Sequence, residues 1–573
     1  MSTVSVARAS TAKGWSSAQS LLLLTAATLL CLLPFCGRAF HIDDSLFLWC
    51  GQQIVRHPFN PFGFQIHSNG HLGPMWAITK NPPLACYYLA IIGKAAGFSE
   101  RALHLGFLLP AVAMVLGTYR LAQRFTRSPL IAAAATLLTP GVLVSASSVM
   151  CDTLMLAFWV WAAIFWLEGL DAHRRSYLLA SAVLISASAL SKYFGICLVP
   201  LLFAYSLAKD RRLGAWAGFF VLPLAVMAGY ELWTRALYGQ GMFGTAAEYA
   251  PLNVLHAGSH VLFYPVECAS FIGGCALPAL VLAPLVWSRK SIVTTLLLEG
   301  VALTVGLYLL RSHLQVSSNG TLIAQQWNTV GLEFAIYVAG GISVLALAAT
   351  DLWQHRDPNS LLLALWVFGT FLFTAFVNWT INARSVLPLI PAVGILLARR
   401  IDGMQMTPGR ARATIAAGLL LSGGFAFWTA LADANLANNG KAAAERLVMQ
   451  TRNAAGAVWF QGRCDFQYYM EERGQHAFDF DTTTLRPGDI LIVPMGEFTG
   501  VRPPPPPFVS SVDTLEMPLQ HSVTTFTAAM GAGFYSSRYG PLPFAVGKVP
   551  PERFAVYHMG ALLQPENWHS LQP

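Results

Sequence analysis

The sequence predicts an α-helical polytopic membrane protein of about thirteen spans, with a small α/β domain after the last of them. Three observations carry this. Of 573 residues, 55% are hydrophobic and 11% charged, with a mean hydropathy of +0.52, whereas soluble domains carry about 25% charged residues. Apolar runs of about 20 residues, enough to cross about 30 Å of hydrocarbon, recur over the first three quarters of the chain. Basic residues fall in every second loop, as an alternating topology requires.

In order, the apolar runs are 21–35, 102–122, 130–149, 153–170, 177–190, 194–208, 213–237, 261–287, 292–310, 331–349, 361–377, 385–398 and 413–431. The first is expected to stay uncleaved, because Cys36-Gly37-Arg38 leads straight into an acidic loop and no small-x-small site ends the run. The stretch 177–208 is too long for one helix. Two short spans keep the charge alternation, whereas one would invert everything after it. With the N-terminus in the cytoplasm, the inner loops hold Arg8 and Lys13, then Arg120, Arg124 and Arg127, then Arg174 and Arg175. Lys209, Arg211 and Arg212, Arg289 and Lys290, Arg356, and the group Arg399, Arg400, Arg410 and Arg412 follow. The net charge of +8 is thus an orientation device rather than a nucleic-acid signal.

Residues 1–434 are expected to form the membrane domain, and 435–573 a soluble domain on the outer, periplasmic side of a cell inner membrane. The first outer loop, 38–100, is rich in aromatics, Gly and Pro, and its amphipathic patches 45–55 and 84–92 read as helices lying in the interface. In the tail, strand-like runs at 457–460 and 490–494 flank a helical 467–473, and a proline run, 503–507, introduces an extended segment. The nine cysteines give no disulfide framework. A Cys50–Cys86 bridge in the first outer loop is the alternative to unpaired thiols, which are expected.

Four charged positions stand apart. Asp43-Asp44 opens the first outer loop, Asp152 begins a span entered from outside, Lys192 sits at the break in 177–208, and Arg384 begins a later span on the same side. Each has a plain structural explanation: helix capping for the carboxylates, snorkelling for the cations. Their convergence on one face argues instead for a site on a charged substrate. A carboxylate there suits a general base; Arg forks two phosphate oxygens and Lys adds a point charge. Asn81-Pro82-Pro83-Leu84 makes a rigid turn nearby, and Asn81 is placed with the substrate-binding residues. His256 and His260, at i and i+4, are read as loop residues and not as a metal pair.

The acidic pair after the first span, the Pro-Pro-Leu turn, Asp152, Lys192 at a broken span and Arg384-x-x-x-Pro occur in an order that resembles the GT-C superfamily of polyprenyl-phosphate-sugar glycosyltransferases. Within it, the chain is most similar to bacterial relatives of protein O-mannosyltransferases and to the lipid A aminoarabinose transferase, over about residues 20–430. The resemblance implies sugar transfer from a polyprenyl-phosphate donor to a lipid, glycan or protein hydroxyl. Asp43 would be the leading catalytic carboxylate, with Asp44 where the family has Glu, and Asp152 a second. Lys192 and Arg384 would lie near the lipid phosphate. Aminoarabinose transferases carry Glu-Lys before Pro-Pro; Lys80-Asn81 stands there here, so that metal ligand is missing. No metal site is assigned, and the cofactor, a divalent metal included, stays open. A transporter or flippase of a lipid-linked or anionic substrate is the alternative. It would place charges at mid-membrane and broken helices in two matching halves; the sequence shows neither a mid-span charge nor an internal repeat.

Overall fold

The computed structural model describes residues 17–569 apart from 252–260, 289, 291–292, 295–296, 298–299, 301–319, 405–407, 463 and 497–500. The run at 292–310 falls largely outside the described residues; Arg8, Lys13, His256, His260 and Arg289 fall wholly outside them. Among the described residues, eight helices are long and apolar enough to cross a membrane, or nine if the bent pair Pro129–Leu137 and Pro140–Ala146 is one span.

Proline explains most of the difference from thirteen. It lacks an N–H and clashes with the preceding turn, so an apolar run containing it is not one helix. The run at 130–149 bends by 62° where Thr139 caps the helix opened by Pro140. The run at 261–287 divides into Tyr264–Cys275, Leu277–Val281 and Ala283–Val286, with prolines at the starts of all three. Likewise 385–398 becomes Ala383–Val386, Leu387–Leu389 and Ile390–Asp402. Such breaks persist at membrane depth where neighbouring protein covers the freed backbone, and Cys275, Ala279, Leu389 and Ile390 are buried. The stretch 177–208 is two helices, Arg175–Ser191 and Leu198–Asp210, parted by a 3-10 turn Tyr193–Cys197. Glycine supplies a close crossing: a Cβ on Gly273 would strike the Tyr337 carbonyl, and one on Gly341 the Ala269 carbonyl.

In the first outer loop, the amphipathic patches form the helices Asp44–Arg56 and Leu84–Ala96. Between them lies a hairpin, Gln65–Ser68 with His71–Pro74, that the sequence reading passed over. Its signal is Asn69-Gly70, which turns with φ of 53° and 81°, the left-handed pair that a two-residue hairpin loop demands.

The last long helix, Pro408–Thr451, runs 44 residues, about 66 Å, so a boundary at 434/435 falls inside one continuous helix. Beyond it, a five-stranded sheet orders His476–Ala477, Val458–Phe460, Ile490–Met495, Glu552–Met559 and Val509–Met517, parallel across the first three and antiparallel across the last three. Between the two longest strands the chain leaves the sheet and packs Met530, Leu542, Phe544 and Val549 against Phe263, Val330, Phe334 and Tyr337 of the membrane helices.

Candidate active site

The helix Cys151–Asp171 starts with Asp152 in its first turn. The helix Arg175–Ser191 ends where Lys192 turns to extended backbone, φ −150° and ψ 133°, which brings its ammonium 2.6 Å from Asp152 Oδ1. The second carboxylate oxygen of Asp152 is buried with no hydrogen-bond partner.

Arg384 sits on the short helix Ala383–Val386, whose start is fixed by Asn382 accepting from the Ser385 N–H and hydroxyl at 2.8 and 2.9 Å. Its guanidinium reaches Asp43 Oδ2 at 3.0 Å, and its Nε is buried and unpaired. Asp43, Asp152, Lys192, Arg384 and Asn81 all line one cavity of about 1180 Å³. Asn81 accepts from the Cys151 thiol at 3.8 Å. Part of the wall is apolar, with Phe194, Ile196, Phe373 and Val377 among its residues.

Asp44 goes elsewhere. It is fully buried, and its oxygens accept the His41 N–H at 3.0 Å and the Val149 N–H at 3.1 Å, tying the loop to the bent 130–149 segment. Burial outweighs those bonds and the nearby Arg38, and pushes its pKa up to about 6. Asp44 does not line the cavity, so the adjacent carboxylates divide into one that faces the cavity and one that braces the loop.

Three features escaped the sequence reading. His41, beside the acidic pair, lines the cavity and bonds Asp465 of the tail at 3.0 Å. Burial acts against its protonation, but the Asp465 bond and the charges of Asp433 and Asp465 more than offset it, and its pKa is raised. Second, carboxylates on apolar helices meet the tail: the buried Asp433 bonds Thr525 at 2.5 Å and Tyr535 at 2.9 Å, the buried Glu267 bonds Ser537, and the half-buried Glu333 accepts the Val546 N–H at 3.1 Å. An acid inside an apolar run is a readable signal; its partner is not. Third, Tyr535 and Ser536 of the tail line the cavity itself.

All nine cysteines are free thiols, Cys50 and Cys86 included. For a metal, the two carboxylates Asp43 and Asp152 fit poorly, since each is held by a cation. Among the described residues, His71, Asp479 and Asp481 bring ligand atoms within 4.8 Å of one another. His71 is already bonded to Asp481 at 2.7 Å and Asp479 to the Leu72 N–H at 2.8 Å, so the group fastens the hairpin to the tail, and none of the three lines the cavity.

At the opposite end of the bundle the basic loops converge. Arg124 and Lys209 both pair with Asp171, Arg120 pairs with Glu168 at 2.9 Å, and Arg399 with Asp351 at 3.0 Å.

Residues 80–230 match the family model described as dolichyl-phosphate-mannose-protein mannosyltransferase. No curated protein matches the chain. Among solved structures, it aligns with ArnT from Cupriavidus metallidurans bound to undecaprenyl phosphate at 13% identity and a TM-score of 0.49, covering 84% of this chain and 94% of that one. The apo state of the same protein gives 13%, 0.49, 83% and 93%. The Archaeoglobus fulgidus oligosaccharyltransferase in its apo form gives 13%, 0.46, 80% and 64%. The matched family segment holds Asn81, Asp152 and Lys192, and it is over those residues that the chain is similar to the dolichyl-phosphate-mannose-protein mannosyltransferases.

Proposed function

We propose that the chain transfers a hexosyl or pentosyl group from a polyprenyl-phosphate donor to the hydroxyl of a lipid, glycan or protein acceptor, at the outer face of a cell inner membrane. The observation that supports this best is the meeting of two carboxylates and two cations around one partly apolar cavity at one end of the helix bundle. The prenyl tail lies along the apolar wall, and the phosphate enters between Lys192 and Arg384. Asp43 takes the proton of the acceptor hydroxyl as its oxygen bonds to the anomeric carbon. The bond from that carbon to the phosphate oxygen breaks, and its electron pair leaves on the polyprenyl phosphate. Negative charge grows on that oxygen, where two fixed cations stabilise the transition state more than the ground state. Asp152 holds Lys192 toward the phosphate, and Asn81 helps to seat the donor.

On this reading the basic loops gathered at the other end lie in the cytoplasm, in keeping with the bias of positive charge to that side, and the cavity and the domain after 435 lie outside. A reporter active only in the cytoplasm, fused after residue 573, is expected to be silent; strong activity there would reverse the assignment. The functional test is glycolipid and glycoprotein profiling of a deletion strain. Loss of one sugar modification with accumulation of a polyprenyl-linked donor is expected, and an unchanged profile with accumulated flipped or unflipped lipid would favour transport.

A further inference from the structure

The returning segment of the tail binds the backbone just ahead of Arg384. The Ala383 N–H donates to the Phe534 carbonyl at 2.9 Å, and the Ser537 N–H donates to the Ile381 carbonyl at 2.8 Å. Between these two bonds lies Tyr535, 4% exposed, whose ring centre is 5.6 Å from the Arg384 guanidinium. Its hydroxyl donates to Asp433, with the carboxylate oxygens at 2.9 and 3.1 Å. Asp433, on the last long helix, also binds Arg38 at 2.9 Å and Thr525 at 2.5 Å. Burial first, and then the Asp433 charge, push the phenol's pKa well up, so the hydroxyl stays a donor.

We propose that this tail segment is part of the donor-phosphate site, with Tyr535 as the positioning residue that aims the Arg384 guanidinium. The inference rests on the reading of Arg384 as a phosphate ligand. Before the donor arrives, Arg384 has Asp43 as its ion-pair partner. A phosphate that takes the guanidinium's N–H groups competes with that carboxylate, so Asp43 cannot be what holds the side chain in the bound state. The Tyr535 face attracts a cation without using any N–H donor, so it holds the guanidinium's plane while leaving the fork free for phosphate oxygens. The two ends of Tyr535 therefore do different work: the hydroxyl anchors the segment to Asp433, and the ring orients Arg384. A tail that only stabilised the fold would not separate them.

The test uses the full chain in nanodiscs, titrated with a polyprenyl phosphate, beside a thermal melt. Tyr535→Phe should melt lower, because Asp433 loses a donor, yet keep affinity within about twofold of wild type, since the ring stays. Tyr535→Leu should weaken affinity about five- to tenfold, the size of a desolvated cation–π contact. If Tyr535→Leu does not fold, Tyr535→Met fills a similar volume without a π face and is judged by the same ratio. Wild-type affinity in the folded Leu or Met variant would overturn the proposal. So would equal losses in the Phe and Leu variants, since the hydroxyl alone would then matter. Failure of the wild-type chain to bind polyprenyl phosphate would instead strike the proposed function.

Discussion

The two ends of the helix Cys151–Asp171 lie about 30 Å apart, and each carries an aspartate facing cations. At one end Asp171 meets Arg124 and Lys209 with its side chain 43% exposed. At the other Asp152 meets Lys192 with 2% exposed and one oxygen unpartnered. Exposed pairs contribute about 0–1 kcal/mol, being screened by water and salt. A buried pair from which one partner is removed costs about 3–5 kcal/mol, because a charge is left uncompensated. The exposed end therefore fits an orientation signal read during insertion. The buried end holds charge under strain of desolvation, the condition under which an anionic ligand is received strongly. The same residue types are a topology device at one end and a candidate site at the other, and burial makes the difference.

The largest expected effect lies at the cavity end. Asp43→Asn keeps the volume and removes the base, so sugar transfer should fall by about 10²-fold or more at unchanged expression; near-normal turnover would make Asp43 a mere loop residue. Asp152→Asn should follow with a smaller loss, since it frees Lys192 from its partner. Next comes the cation pair. Arg384→Lys turns a forked contact into a single one and should weaken polyprenyl phosphate binding about tenfold, and Lys192→Ala should do likewise. If the two cations only reach headgroups, affinity in the double-alanine variant stays at the wild-type value.

A smaller effect is expected at Asp44, which separates bracing from chemistry within the acidic pair. Its folded pKa is raised from the ordinary 3.8 to about 6. Between those values the folded state binds more protons than the unfolded one, so its share of the stability is present below about pH 4 and is lost as pH rises through about 6. Asp44→Asn should flatten that part of the melting-temperature profile measured from pH 4 to 8, and an unaltered slope would show that the brace does not titrate there. The smallest effect belongs to the exposed end: Asp171→Asn should leave phosphate affinity and transfer within about twofold. A loss there matching that of Asp152→Asn would break the contrast between the two ends.

Much of the architecture was legible in the chain. Apolar runs gave eight of the long helices, because a membrane rewards any 20-residue segment that hides its own backbone. The split at Lys192 followed from the length of 177–208 and from charge parity. Amphipathic spacing gave Asp44–Arg56 and Leu84–Ala96, and the strand-like runs at 457–460 and 490–494 are strands. The proline-broken segments at 261–287 and 385–398 were less legible: composition measures how apolar a run is, not whether its backbone can close every turn. The strands Val509–Met517 and Glu552–Met559 are not legible beyond an extended segment, since their pairing spans a long excursion of chain.

By itself, then, the sequence determined which segments are apolar enough to build the bundle, which end of it gathers the basic loops, and which four charged positions stand outside the ordinary pattern. These depend on composition and on spacing within one helix or loop, both local quantities. Only the tertiary structure decided that Asp43 pairs with Arg384 and Asp152 with Lys192, that Asp44 turns inward, and that Tyr535 comes back to the cavity from the far end of the chain. Adjacent carboxylates separate because one finds backbone N–H donors and the other finds a cation, and the Val149 N–H and the Arg384 guanidinium both lie more than 100 residues away in sequence. A buried acid such as Asp433 or Glu267 needs some donor, and the chain supplies it from residues such as Thr525 and Ser537, far along the chain, a distance over which no local pattern can register.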